Sequence, residues 1–382
     1  MAQVRLGIVG LGLITQAVHL PNLETLRDRF TVTHVCDASA SLAVAVAERL
    51  PNSTSGPVRS TSDWRSVVND PDVDAIMILT PGSHGEIASA ALSAGKHVFA
   101  EKPLGHSRAE VVQLMDQANS TGLVLQVGTM KAHDDLIGAT RAAIGRIGDL
   151  RVVRVTVLHP TDECQFEHIA LLPAANSDPA VVAAGNTYTT ARNDEAMGES
   201  AVGVRALYTD VLLGSVVHEM AVLRALGLGL PHAWDFVSIN PTLGDHPPAE
   251  PPRILAVGTL PGGAQLQLSW NWVPDYPEYT EEVKVIGSAG RVTLDLPGPY
   301  IAHHRSTLTV EELQDGLRLS SETTSGFTTG FVRELEAFAS SITEGTPVMC
   351  TAAGALEDLA CLQRLAATAG HRLSLRVDGE AG

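Results

Sequence analysis

VRLGIVGLGLITQ, residues 4–16, is the stretch whose reading decides the fold. Val4, Leu6, Ile8 and Val9 form a short apolar run of branched side chains, the pattern of a buried parallel strand. Gly10-Leu11-Gly12 follows at once, and Leu13 to Leu26 then carries apolar residues at helical spacing. Strand, glycine turn and helix in that order make the opening βα unit of a dinucleotide-binding fold. Gly10 permits the tight turn. Gly12 lets a pyrophosphate approach the N–H groups at the helix start, Leu13 and Ile14 included, where the dipole favours anions. Thr15 stands where the fingerprint has Gly or Ala for close helix–strand packing. An ordinary strand-to-helix turn is the competing reading of a lone Gly-x-Gly.

The next strand, Phe30 to Cys36, ends at Asp37, where an acidic group is expected to meet the adenosine ribose. A carboxylate there accepts from the ribose hydroxyls and repels a 2′-phosphate. Ala38, Ser39 and Ala40 follow it with no Arg, so NAD is expected over NADP. A turn-forming Asp at a strand end is the plainer alternative.

A chain of 382 residues with 45% hydrophobic and 18% charged residues is long enough for two domains and has the composition of a globular protein. The net charge of −17 argues against nucleic acid or an anionic membrane as partner. Cys36, Cys164, Cys350 and Cys361 are scattered, the usage of a reducing compartment. The first strand begins almost at once, leaving no room for a signal peptide, and no apolar run reads as a membrane span. A cytoplasmic protein is expected.

Strand and helix signals alternate to about residue 128. Helix Ser41 to Leu50, a short helix at Asp63 to Val68, strand Val73 to Leu79, helix Glu86 to Ala94, strand Lys96 to Ala100, helix Arg108 to Thr121 and strand Val124 to Gly128 follow in turn. Gly10, Asp37, Thr80-Pro81, Glu101-Lys102-Pro103 and Gly128 all fall at strand C-terminal ends, where open parallel sheets bind ligands. Beyond residue 150 the texture changes. Arg151 to Leu158 reads as a strand, Pro160 to Tyr208 as a long irregular stretch carrying function, and Leu212 to Leu226 as a helix. Consecutive strands then appear at 232–239, 253–259, 264–272, 281–286 and 291–295, with hairpin turns at Leu260-Pro261-Gly262-Gly263 and Gly287-Ser288-Ala289-Gly290. Two helices, Phe331 to Glu344 and Ala352 to Ala369, close the chain. The expected fold is α/β: a Rossmann dinucleotide-binding domain over 1–128, then an α+β domain over 129–382 with a large, mostly antiparallel sheet.

Three segments carry a family resemblance: GIVGLGLITQAVHLPNL, TPGSHGEIASAALSAGKHVFAEKPL and GSVVHEMAVLRALG. Together they resemble the glucose–fructose oxidoreductase / inositol dehydrogenase / rhizopine-catabolism (Gfo/Idh/MocA) family, most specifically through residues 94–103. The resemblance implies an NAD(P)-dependent oxidoreductase acting on a sugar, cyclitol or sugar derivative, assembled as a homodimer or homotetramer through the open sheet of the second, substrate-binding domain. Lys102 would lie between nicotinamide and the reacting carbon, where a cation stabilises developing alkoxide. Glu101 would face the cofactor, with Thr80, Pro81, His84 and Gly128 beside it, and Pro103 takes a cis bond in many members. His218 matches the histidine of the substrate domain, whose imidazole suits proton exchange at neutral pH.

The acidic residue usual in the family one turn before that histidine is missing, because the position is Gly214; Asp210 is the stand-in. Lys131 and His133 are expected near substrate. Tyr208, Trp272, Tyr276 and Tyr279 are candidate walls of a sugar pocket, each equally a core or interface residue. His159, Asp162, Glu163, Cys164 and His168 have ligand types at tight spacing, yet no metal is expected. Two other functions stay open: a redox-neutral epimerase, lyase or glycosidase using NAD transiently, and a non-catalytic NAD-binding regulator.

Overall fold

The computed structural model describes residues 3–53, 56–161, 163–244, 246–301 and 304–382. The chain forms two compact units, and they do not divide at residue 128. The first comprises Met1–Thr129, Ile169–Glu195 and Phe331–Leu356; the second comprises Met130–His168, Ala196–Gly330 and Glu357–Gly382.

In the first unit β1 (Val4–Val9), β2 (Phe30–Cys36), β3 (Arg59–Thr61), β4 (Ala75–Ile78), β5 (His97–Glu101) and β6 (Leu125–Gly128) form one sheet in the order β3-β2-β1-β4-β5-β6. Every pairing is parallel, as a sheet built from helix crossovers requires. Gly10 has φ +94°, and a Cβ there would meet the backbone carbon of Leu79 at 2.7 Å, so only glycine fits. The missing third glycine is resolved by hydrogen bonding. Thr15 is fully buried, and its hydroxyl donates to the Gly10 carbonyl at 2.7 Å.

The helix after the turn is not uniform. Thr15–His19 forms a wide turn with i→i+5 bonding before the regular Leu20–Thr25. Pro21 lacks an N–H and its ring would press on a carbonyl in the preceding turn, which widening the helix relieves. The unit's core joins Leu6, Ile8, Phe30, Leu42, Met77 and Phe99 to Leu335, Phe338 and Ala339 of a late helix, Gly330–Thr343. That helix repeats apolar residues at 331, 335, 338, 339 and 342, one face wide. Phe338 stacks on Phe30 at 6.5 Å and meets Phe99 edge-on at 5.6 Å.

The second unit holds an eight-stranded sheet of β7 (Leu150–His159), β8 (Trp234–Asn240), β9 (Arg253–Thr259), β10 (Gln265–Trp272), β11 (Thr280–Gly287), β12 (Gly290–Pro297), β13 (Thr307–Gln314) and β14 (Leu317–Thr324). Their order is β14-β13-β12-β11-β7-β10-β9-β8. Only β7 with β10 is parallel; the other pairs are antiparallel, as the hairpin turns required. The expected open, mostly antiparallel sheet is therefore present, with β13 and β14 added at one edge. β14 is exposed throughout, and β13 alternates buried Leu308 and Val310 with polar residues.

The stretch 160–208 is largely helical rather than irregular. It contains Glu163–Phe166, Pro179–Met197 and Val202–Ala206. The helix expected at Leu212 starts earlier, as the run Val202–Ala225 with a wide segment at Leu207–Val216. By length and a mean hydropathy of 1.3 this run is apolar enough to cross a membrane, contrary to the sequence expectation, but 67% of that window is buried inside the fold.

Candidate functional site

In the first unit the glycine turn and the β2 end lock onto each other. The Leu11 N–H donates to one Asp37 oxygen and the Ser39 N–H to the other, each at 2.8 Å. The Asp37 carboxylate is thus fixed at the turn, with both oxygens keeping lone pairs for further donors. Beyond the Cα of Gly12 there is open space, since a Cβ there would meet nothing within 4 Å. Leu13 and Ile14 follow at the helix start, both partly exposed. This cradle fits the adenosine and pyrophosphate of a dinucleotide.

The exits of β4 and β5 are braced by His84, which is 2% exposed. Its Nδ1 lies 2.8 Å from the Pro103 carbonyl and its Nε2 2.8 Å from that of Thr80. His84 therefore ties two loops together, in place of the expected cofactor contact. Gly128 packs tightly, since a Cβ there would press on the Phe99 ring at 3.0 Å. Thr80 is partly buried and Pro81 exposed beside them. The Lys102–Pro103 bond is cis.

Glu101 sits behind Lys102. One oxygen lies 2.9 Å from His19 Nε2 and the other accepts the Lys102 N–H at 3.1 Å. Burial pushes this carboxyl up, but neighbouring His19 and Lys102 more than offset it and hold it below the usual range. Glu334, from the late helix, is fully buried, and among the described residues neither of its oxygens has a hydrogen-bond partner. Burial and then the charge of Glu101 push its carboxyl well up, so it holds a proton. His19, Glu101 and Glu334 each bring one ligand atom within 4.8 Å of the others. The three types suit a metal ion, while a neutral Glu334 lowers the negative charge that would draw one. The sequence reading singled out Glu101 alone. His19 in VHLPNL and Glu334 in VRELEAF had no visible partner.

In the second unit Lys131 is 7% exposed and its ammonium is fully engaged. It donates to the Tyr279 hydroxyl at 2.8 Å, pairs closely with Glu281, and lies 3.6 Å from Glu219. Tyr279 also donates to Glu281 at 2.8 Å. Lys131 thus neutralises buried carboxylates rather than standing open as the expected substrate contact. Burial, then the charge of Glu281, raises Glu219 to about 8 despite Lys131. His133 is buried too, and desolvation lowers it to about 4, leaving a neutral ring. Glu219 and Glu281 were missed. Glu281 has a signal in hindsight, sharing its face of β11 with inward Val283 and Val285.

Tyr208 is fully buried, its hydroxyl 3.4 Å from Gln363, so it belongs to the core and not to a pocket wall. Tyr279, also buried, packs with Trp272 around His159, at ring separations of 5.4 and 5.5 Å. The β7–β10 register pairs His159 with Trp272, which gathers these rings at one end of the sheet. His159 is thereby an aromatic partner; Asp162 of the same motif lies outside the described residues. Tyr276 is exposed. Asp210 is exposed and accepts from the neighbouring Thr209 hydroxyl at 2.7 Å. His218 is partly buried, in the first turn of the regular helix Val217–Ala225.

Residues 4–129 match the Gfo/Idh/MocA oxidoreductase family, described by its NAD-binding Rossmann fold. The N-terminal domain is a Gfo/Idh/MocA domain. A levoglucosan dehydrogenase of Pseudarthrobacter phenanthrenivorans is 35% identical over 123 residues, covering 31% of this chain and 30% of that protein. A myo-inositol 2-dehydrogenase of Thermotoga maritima is 28% identical over 160 residues, covering 41% and 46%. The chain thus matches under half the length of these Gfo/Idh/MocA relatives. In fold the likeness runs further. A 3-ketoreductase from Actinomadura kijaniata, solved with TDP-benzene and NADP, superposes with a TM-score of 0.66 over 95% of this chain and 97% of that one, at 20% identity.

Proposed function

We propose that the protein is an NAD-dependent dehydrogenase or ketoreductase for a secondary alcohol or ketone of a sugar, cyclitol or sugar derivative. The observation that carries this reading is the Asp37 carboxylate held by the Leu11 and Ser39 N–H groups beside the open Gly12 turn. A fixed carboxylate there accepts ribose hydroxyls and opposes the negative charge of a 2′-phosphate. Sequence likeness to two dehydrogenases of polyhydroxylated rings supports the substrate class.

Bound NAD would supply a nicotinamide ring as hydride acceptor. The chain's own part is positional and electrostatic. Lys102 donates to the substrate oxygen and stabilises negative charge as it develops there. Glu101, held by His19, keeps the Lys102 backbone in place through the 3.1 Å bond to its N–H. His218 takes the hydroxyl proton in oxidation and returns it in reduction.

The test is Lys102→Ala. Turnover should fall by about 100-fold or more while NAD binding, measured by calorimetry, persists. Turnover close to wild type would refute the assignment. Steady NADH release with a polyol panel separates net oxidation from a redox-neutral reaction, which releases none.

A further inference from the structure

Residues 169–195 belong to the first unit although they lie beyond its sheet in the chain. Their contacts follow one path. Leu172 exchanges two backbone hydrogen bonds with the Gln16 amide, behind the β1 turn, at 2.8 and 3.2 Å. The Ala175 carbonyl accepts from the hydroxyls of Ser39 and Ser41, at 2.5 and 3.1 Å, and the Asp178 N–H donates to the Ala38 carbonyl at 2.8 Å. Those are the residues following Asp37.

The helix Pro179–Met197 then reaches the other strand ends. Thr189 accepts the Ser83 N–H at 3.2 Å, after β4, where Gly82 leaves it room. Tyr188 donates to buried Glu110 at 2.9 Å. Asn193 meets His106 at 2.6 Å and Glu195 accepts from Ser107 at 2.8 Å, after β5. A dinucleotide on a Rossmann sheet spans the same strand ends, from the ribose site past β1 toward β4 and β5.

The helix has no apolar face to hold it there. From Pro179 to Glu195 no side chain is fully buried, and the helix is attached by polar contacts to the loops after β4 and β5 and to Glu110; ahead of it, Leu172 is the segment's apolar anchor on the core. Such a segment opens at low cost compared with the packed core beneath it. Its position also bears on cofactor choice. The Ser39 and Ser41 hydroxyls, two donors that follow Asp37 closely in the chain, are spent on the Ala175 carbonyl, itself an acceptor.

We infer that residues 169–195 are a strap over the dinucleotide groove, which retains bound NAD and disfavours NADP at its ribose end. The inference rests on the dinucleotide reading above. Its purpose is slow cofactor release: the strap lifts for exchange and docks again over NAD.

The experiment compares the full-length wild type with two variants. One carries Tyr188→Phe, Thr189→Ala, Asn193→Ala and Glu195→Ala, all on the strap side. The other replaces residues 173–178 with a Gly/Ser linker of equal length. Amide exchange with and without saturating NAD, NADH release by stopped-flow fluorescence, and calorimetry with NAD and NADP are the readouts. Expected are NAD-dependent protection of 169–195 in the wild type and NADH release about tenfold faster in the substituted variant. The linker variant should lose about tenfold of its preference for NAD over NADP. Absent protection together with release within about twofold of wild type overturns the strap. Faster and tighter NAD binding on undocking overturns it too, since the segment would then be a plug. A wild type that binds neither dinucleotide overturns the cofactor reading and the strap with it.

Discussion

Each unit buries a pair of glutamates, and the two pairs are compensated in opposite ways. In the first, Glu101 is charged beside His19 and Lys102, while Glu334 has no donor among the described residues and keeps its proton. In the second, Glu281 takes an ammonium and a phenol hydroxyl, while Glu219 stands off at 3.6 Å and titrates near 8. In both, one carboxyl is pushed up beside the other, Glu334 beside Glu101 and Glu219 beside Glu281, because two bare charges in low dielectric repel strongly. The difference is the source of the compensating charge. The second pair depends on a buried lysine; the first depends on an imidazole and a lysine that the glycine-turn helix and β5 already bring there.

The largest expected effect follows from that lysine. Lys131→Met removes the only cation beside Glu281 among the described residues and leaves it the Tyr279 hydroxyl alone, and should cost about 3–5 kcal/mol in urea unfolding. A loss under about 1 kcal/mol would mean that the second pair does not depend on the buried lysine, which erases the contrast. A pH series sharpens it next. A carboxyl raised in the folded state binds a proton that the unfolded chain has already lost, so stability falls as pH rises between the unfolded value and about 8. His133 acts the other way, but only between about 4 and 6.5, above which it is neutral in both states. From pH 7 to 8 the decline is therefore carboxyl-driven, shared by Glu219 and Glu334, and Glu219→Gln should make it shallower without abolishing it in urea midpoints. An unchanged slope would move the proton elsewhere. The smallest effect is expected at Glu334→Gln, which replaces a neutral acid by a neutral amide. Its unfolding free energy at pH 7 should stay within about 1 kcal/mol of wild type. A larger loss would mark Glu334 as ionised, or as a ligand, which added EDTA and metal analysis would separate.

What was legible in the sequence is what local chemistry dictates. Gly10 is required by a positive φ and a close backbone, and Asp37 by its place at a strand end, so both could be read directly. The hairpin glycines and the alternation of β7 to β12 gave the second sheet. What stayed hidden depended on distant partners. Gly330–Thr343 was recognisable as an amphipathic helix, but nothing in it says that Phe338 packs on Phe30 and Phe99. The helix Pro179–Met197 has no apolar stripe, so periodicity had nothing to find there. His84 and Lys131 were recognised as notable residues, yet their side chains are occupied by partners that spacing alone did not reveal.

The late helix has a consequence for how the protein comes into being. A ribosome that has released residues 1–129 has made all six strands of the first sheet but none of Leu335, Phe338 or Ala339, so the nascent domain exposes the aromatic seat at Phe30 and Phe99. It must wait, shielded by a chaperone or by loose collapse, until the far end of the chain emerges and closes it. A truncated gene ending after β6 should accordingly yield an aggregating product, whereas supplying residues 331–356 in trans should recover soluble material.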